Sequence, residues 1–256
     1  MMRKLLLVAM VLMLAAAPVL AQESDLAYVK DKGTLVIGYT VYAPMNYTDK
    51  DGVFTGFDTE LATAVSEQLG LTPEFVEINW ETKEVELAAK TIDCIWNGLT
   101  ITEERKANME ITIPYVENAQ VVVMQKGAEY TDTASLAGKT VVAEAGSAGE
   151  STVKADEGLK KAEYIAKDVQ TACLMEVAAG TADAAVLDLT LANAMVGEGT
   201  DYANLVIVDR LAVEDYGVAF RKGSDIVPEV NKAFEALKES GLLSELAEKY
   251  GLDLAF

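Results

Sequence analysis

The run Thr91-Ile92-Asp93-Cys94-Ile95-Trp96-Asn97-Gly98-Leu99-Thr100-Ile101-Thr102-Glu103-Glu104-Arg105 decides how the chain is read. Apart from Asp93, residues 92–96 are apolar, the pattern of a short buried strand. Asn97-Gly98 predicts a break in it. Thr102 is a favourable helix N-cap, and Glu103 and Glu104 complement the partial positive charge of a first turn. A strand therefore runs into a loop, and the loop into a helix. Backbone N–H groups and threonine hydroxyls at such a helix start can face an anion. Arg105, three residues past the cap, adds a guanidinium able to grip a carboxylate with two parallel hydrogen bonds.

Upstream, Gly33-Thr34-Leu35-Val36-Ile37-Gly38 is a strand entering an aromatic-rich loop, Tyr39-Thr40-Val41-Tyr42-Ala43-Pro44-Met45-Asn46-Tyr47. Gly56-Phe57-Asp58 opens a helix with Asp58 as its cap, an apolar face of Leu61, Val65 and Leu69, and Gly70 as its stop. A short strand over 75–78 precedes Trp80, which either covers a ligand or anchors a helix at 84–90.

Downstream, residues 119–124 are β-rich and follow a polar loop, Val116-Glu117-Asn118. In Glu144-Ala145-Gly146-Ser147-Ala148-Gly149-Glu150 a strand turns into a helix. Gly146 permits close backbone approach and Ser147 caps the helix, whose first N–H groups point at an anion site. The absence of Gly-Lys-Ser/Thr excludes a phosphate loop. A helix over 169–179 ends at Gly180, and a buried strand follows, ending in Asp188. There the carboxylate either faces a crevice at the C-terminal end of an open sheet or caps the helix over 189–196. Another strand spans 205–208, and two amphipathic helices close the chain, with Val230, Phe234 and Leu237 on one face and Leu243, Leu246, Ala247 and Tyr250 on another.

With 256 residues, 51% hydrophobic, the chain makes one large domain or two modest ones. Residues 1–21 read as an export signal: Arg3 and Lys4, then an apolar run, then Val19-Leu20-Ala21. No Cys follows the apolar run, so no lipid anchor is expected, and the mature protein is expected in the periplasm or otherwise exported. A net charge of −20 argues against nucleic acid or an anionic membrane as partner. The chain has no His, which removes the usual neutral-pH base and the commonest metal ligand. Neither a metal nor a cofactor is expected. Cys94 and Cys173 are either two buried thiols or a disulfide.

Gly98-Leu99-Thr100-Ile101-Thr102-x-x-Arg105 resembles the signature of the polar amino-acid-binding proteins of ABC importers, extracellular solute-binding protein family 3. Further landmarks resemble the family in order: Gly38 to Met45, one residue short and lacking a frequent Asp; Gly56-Phe57-Asp58 with Glu60-Leu61-Ala62; Leu136-Ala137-Gly138-Lys139; Gly146-Ser147, with Ala148 in place of a second hydroxyl; Asp183-Ala184 through Asp188; and Tyr216-Gly217-Val218-Ala219. The resemblance implies a two-lobed α/β, periplasmic-binding-protein-like fold of type II. Residues 22–118 and 216–256 would form lobe 1 and 119–215 lobe 2, with hinge crossings near 118–121 and 213–217. It implies a monomer that captures a free polar or basic amino acid and passes it to a membrane permease.

The implied site is Tyr42, Trp80, Asn97, Gly98, Thr100, Arg105, Glu144, Ser147, Ala148 and Asp188. Arg105, the Thr100 hydroxyl and the N–H groups near Ser147 would neutralise the ligand carboxylate. Asp188 and the Gly98 carbonyl would neutralise its ammonium, since burying either charge unpaired is costly. Tyr42, Trp80 and Trp96 are candidates to stack on the side chain, and Glu144 either pairs with a basic one or lies on the rim. Two other readings remain: a sensor domain for a membrane receptor, and a dehydratase on this scaffold using Glu144 or Glu150 as acid.

Overall fold

In the computed structural model, residues 24–256 are described; the stretch read as an export signal lies outside them. Among the described residues no helix is long and apolar enough to cross a membrane. The chain alternates as the sequence predicts. It begins α1 (Asp25–Lys32), β1 (Thr34–Tyr39), a small hairpin β2 (Tyr47–Thr48) and β3 (Phe54–Thr55), α2 (Phe57–Leu69) and β4 (Thr72–Glu77). A 3-10 turn, Trp80–Thr82, leads into α3 (Lys83–Ala88), then β5 (Cys94–Thr100), α4 (Glu103–Asn108), β6 (Met109–Ile111) and β7 (Val116–Gln125). There follow β8 (Thr140–Glu144), α5 (Ala148–Ala155), β9 (Glu163–Lys167), α6 (Gln170–Ala179), β10 (Ala184–Asp188) and α7 (Leu189–Met195). The chain closes with β11 (Leu205–Arg221), α8 (Val227–Glu239) and α9 (Leu242–Tyr250).

Sheet order is β4-β1-β5-β11-β7-β10-β8-β9, with β6 also on β11. The outer pairs, β1 with β4 and β5, and β8 with β9 and β10, are parallel, as strand–helix alternation requires. At the centre β7 and β11 run antiparallel, from Leu205 opposite Gln125 to Tyr216 opposite Val116. These two long strands join one group of parallel strands to the other. Helices α8 and α9 pack on α2, so the C-terminal residues return to the first group.

Four readings are corrected. Asn97-Gly98 does not end the strand: β5 runs through it to Thr100, with Gly98 at φ +57° and a shift of register on β11 between Gly217 and Ala219. The glycine makes a bulge, which re-aims the strand without ending its pairing. Val116-Glu117-Asn118 is already strand, and β11 is one strand over 205–221 whose two bulges absorb the polar residues between 207 and 212. Asp58 is not the cap of α2; Gly56 holds that position, and Asp58 is buried, accepting from the Gly98 N–H at 2.7 Å and the Tyr115 hydroxyl at 2.9 Å. Trp96 is a core residue: fully buried, it packs edge-on against Phe234 at 5.7 Å, and Tyr115 lies 5.8 Å from the same ring. Such pairs add to the large area that each ring removes from water. As for the cysteines, both are buried free thiols.

Burial raises the Asp58 carboxyl to about 7, against the hydrogen bonds from Gly98 and Tyr115 that favour its charged form. The folded state therefore holds a proton that the unfolded state, with a carboxyl near about 3.9, releases. Relative to Asp58→Asn, wild-type stability should fall as pH rises from about 4 to about 7 and then level off, measured by urea denaturation across that range. Asp58→Ala, which strands both donors inside, should cost about 2–4 kcal/mol.

Candidate functional site

Parallel strands on both sides of the β7–β11 pair point their C-terminal ends at one narrow cavity. All ten residues singled out from the sequence line it, together with Thr40, Val41 and Gln170. Tyr42 follows β1 and Trp80 follows β4. Asn97, Gly98 and Thr100 end β5, Glu144 ends β8 and Asp188 ends β10, while Ser147 and Ala148 start α5.

One wall is cationic. Thr102 caps α4 as expected, accepting from the Arg105 N–H at 3.1 Å, and this places the Arg105 side chain inside the protein. Its guanidinium donates to the Thr100 carbonyl at 2.7 Å and across the cavity to the Gly146 carbonyl at 3.2 Å. Those are two of five donors, and none of the ion pairs among the described residues involves Arg105. Burial lowers its pKa, opposed by Glu214 and Asp188.

Lys83 was not found from the sequence. It is buried, stands 4.8 Å from the Trp80 ring, and donates to the Trp80 and Gly146 carbonyls, each at 2.9 Å. Burial, then Arg105, lowers its ammonium to about 8. A lysine opening a helix opposes the helix dipole, and that was the one signal available. Gly146 allows the approach of the two sides: a Cβ there would lie 3.0 Å from the Glu81 Cα.

The opposite wall is acidic. Asp188 Oδ1 accepts from Asn118 Nδ2 at 2.7 Å and Gln120 Nε2 at 2.6 Å, and Oδ2 accepts from Gln170 Nε2. Its side chain makes no capping bond to α7, which leaves the crevice-facing alternative. Glu144 is 3% exposed, with one carboxylate oxygen lacking a partner. Burial, then Asp188, raises it to about 8, opposed by Lys83 and Arg105. It is therefore no solvated rim residue. Glu214, also missed, accepts from Asn118, Gln120 and the Thr100 hydroxyl, and burial followed by Asp188 raises it to about 7. Its position is legible only from strand register, which sets it opposite Asn118.

Several expected contacts differ in detail. The Thr100 hydroxyl turns to Glu214 at 2.9 Å, so it is the Thr100 carbonyl that meets Arg105. Ser147 does cap α5, but its own N–H goes to the Glu144 carbonyl. The first N–H groups of α5, from Ala148 on, have no acceptor within the helix. Asn97 spends its amide on Thr40 and Asn46, which ties the loop after β1 to β5. Gly98 puts its N–H on Asp58, and a Cβ there would lie 2.7 Å from the Tyr42 ring. The Tyr42 hydroxyl meets Thr190 Oγ1 and, at 2.6 Å, the Tyr216 hydroxyl. Glu150 lies off the cavity, paired with Lys154 at 2.7 Å.

A cavity lined by the Arg105 guanidinium and by the Glu144 and Asp188 carboxylates is suited to a small molecule carrying both charges. Among the described residues no group of His, Cys, Asp and Glu is placed to hold a metal ion.

The L-cystine-binding protein TcyJ of Escherichia coli K12 is 30% identical over 240 residues, 91% of this chain and 89% of its own length. The structure of holo ArgBP from T. maritima superposes with a TM-score of 0.77 at 32% identity, covering 88% of this chain and 98% of that one. An ABC uptake transporter substrate-binding protein from Streptococcus pneumoniae with bound histidine gives 0.81 at 30%, covering 89% and 96%. The sequence profile of the bacterial extracellular solute-binding proteins, family 3, matches residues 35–253, and the chain belongs to that family.

Proposed function

We propose that this protein captures one free amino acid with a basic or polar side chain and delivers it to the permease of an ABC importer. One observation carries the reading: ten residues from both strand groups line a single cavity that holds the Arg105 guanidinium together with the carboxylates of Asp188 and Glu144. Arg105 and the first N–H groups of α5 hold the ligand carboxylate. Asp188 holds the ammonium, and Tyr42 and Trp80 pack on the aliphatic part. Glu144, buried with an oxygen to spare, faces the side chain and favours a cationic one. Relatives named for cystine and arginine support an amino-acid ligand.

In this reading the lobes are 22–118 with 216–256, and 119–215, hinged where β7 and β11 cross. Arg105 and Lys83 belong to the first and Gly146 to the second, so the shared carbonyl is a contact of the closed form. Ligand shifts the population toward closure, and the permease reads closure as loaded. The protein acts as an exported, periplasmic monomer and not as an enzyme; of the two acids a dehydratase would use, Glu150 lies off the cavity and Glu144 is taken by the ligand side chain. Prephenate incubated with it should remain unchanged.

A thermal-shift panel of the standard amino acids with ornithine, citrulline and cystine, on protein refolded after ligand stripping, tests the reading. Ligand at about 100 times its dissociation constant should stabilise by about 2.7 kcal/mol. No shift with any amino acid overturns it.

Arg105→Ala and Asp188→Ala should each weaken binding by roughly 2–5 kcal/mol in calorimetric titration, because each leaves a buried ligand charge unpaired. Wild-type affinity in both would move the site elsewhere. Glu144→Gln should lose any preference for arginine, lysine or ornithine over glutamine; an unchanged preference removes Glu144 as selector.

A further inference from the structure

Asp188 and Glu214 share their hydrogen-bond donors. Asn118 Nδ2 lies 2.7 Å from Asp188 Oδ1 and 2.7 Å from Glu214 Oε1. Gln120 Nε2 lies 2.6 Å and 2.8 Å from the same two oxygens. Each amide nitrogen carries two hydrogens, so each can serve one carboxylate with one and the other with the second. Asn118 and Gln120 are two apart on β7 and so present the same face. Glu214 sits opposite Asn118 on β11. The double bridge is thus built into the crossing strands, not into a surface loop.

From this arrangement, and resting on the reading of Asp188 as the ammonium acceptor, we infer that Glu214 is a positioning residue for ligand capture: it fixes both amides so that their N–H groups aim at Asp188. With Asp188 alone, either amide could turn and offer its carbonyl to the incoming ammonium. Glu214 prevents that, because a turned amide would set its carbonyl oxygen against a second carboxylate. A cost of the fixed orientation is visible: Gln120 Oε1 is buried without a partner. The Asn118 carbonyl is held from the other side by the Thr190 N–H at 3.2 Å, and the Thr100 hydroxyl anchors Glu214 itself at 2.9 Å. The paired amides keep Asp188 Oδ1 in place, so its charge is presented to the ligand without reorganisation. Because both donors lie on a crossing strand, the network also ties the ammonium site to the hinge.

Calorimetric titration of the stripped full chain with L-arginine and with L-cystine tests this. Glu214→Gln, which keeps the shape and removes the charge, should weaken binding about tenfold, a middling coupling for one hydrogen-bonded network. In an Asn118→Ala/Gln120→Ala background the same substitution should change the dissociation constant by less than about twofold, since its intermediaries are gone. Glu214→Asp should recover part of the loss, which a purely steric role would not allow, and serves in the same cycle if Glu214→Gln does not fold. Wild-type affinity for Glu214→Gln, or an undiminished loss in the double-alanine background, overturns the inference. If Asp188→Ala binds as wild type, the ammonium assignment itself falls, whereas loss in Asp188→Ala with none in Glu214→Gln removes only the role of Glu214.

Discussion

The antiparallel pairing of β7 with β11 is the constraint on which the rest depends. Parallel strands need a crossover for every step, so each half of the sheet is built from strand–helix units. Two strands alone carry the chain between the halves. Their register puts Asn118 opposite Glu214 and brings Tyr216 beside Tyr42 and Thr190. Shifting β11 by one residue would turn Glu214 and Tyr216 to the other face. The cavity exists because both halves present the C-terminal ends of their parallel strands to this pair.

Electrostatics then decides what the cavity will accept. The charged groups that line it are Arg105, Glu144 and Asp188, while Lys83 and Glu214 line the adjoining cleft beside Arg105. Burial lowers the pKa of both cations, raises Glu144 and Glu214 toward neutrality, and leaves Glu144 with an unpartnered oxygen. The protein holds Arg105, Lys83, Asp188 and Glu214 by hydrogen bonds to carbonyls and amides instead of by ion pairs with each other. Arg105 and Lys83 meet the Gly146 carbonyl, while Asp188 and Glu214 meet Asn118 and Gln120. A zwitterion placed in this cavity meets charged groups already oriented by those hydrogen bonds, so its own charges are not left unpaired.

Specific chemistry follows from small backbone choices. Gly98 at φ +57° bulges β5, frees its N–H for the buried Asp58, and leaves room for the Tyr42 ring. Gly146 lets one side of the cavity come within contact of the other. A Cβ at Gly98 would collide with the Tyr42 ring and one at Gly146 would press on the Glu81 backbone, and both glycines hold a positive φ, so these two glycines favour the close approach around the cavity.

The sequence by itself determined the local order: strand–helix alternation, the Thr102 and Ser147 caps, the stops at Gly70 and Gly180, and the ten residues that line one cavity. The alternation, caps and stops are read from neighbours a few positions apart, where capping and periodicity act; the ten lining residues are what the resemblance to the family implies. Tertiary structure decided what depends on register and burial. It turned the expected break at Asn97-Gly98 into a bulge, took Trp96 from the ligand to the core against Phe234, and moved Asp58 from a cap to an internal acceptor. It also recruited Lys83, which reaches Gly146 63 residues away, and Glu214, whose partners lie 94–114 residues away, beyond the reach of any local pattern. A charged residue on a strand or a first helical turn looks solvated until the chain folds over it, because only the folded chain sets its dielectric surroundings.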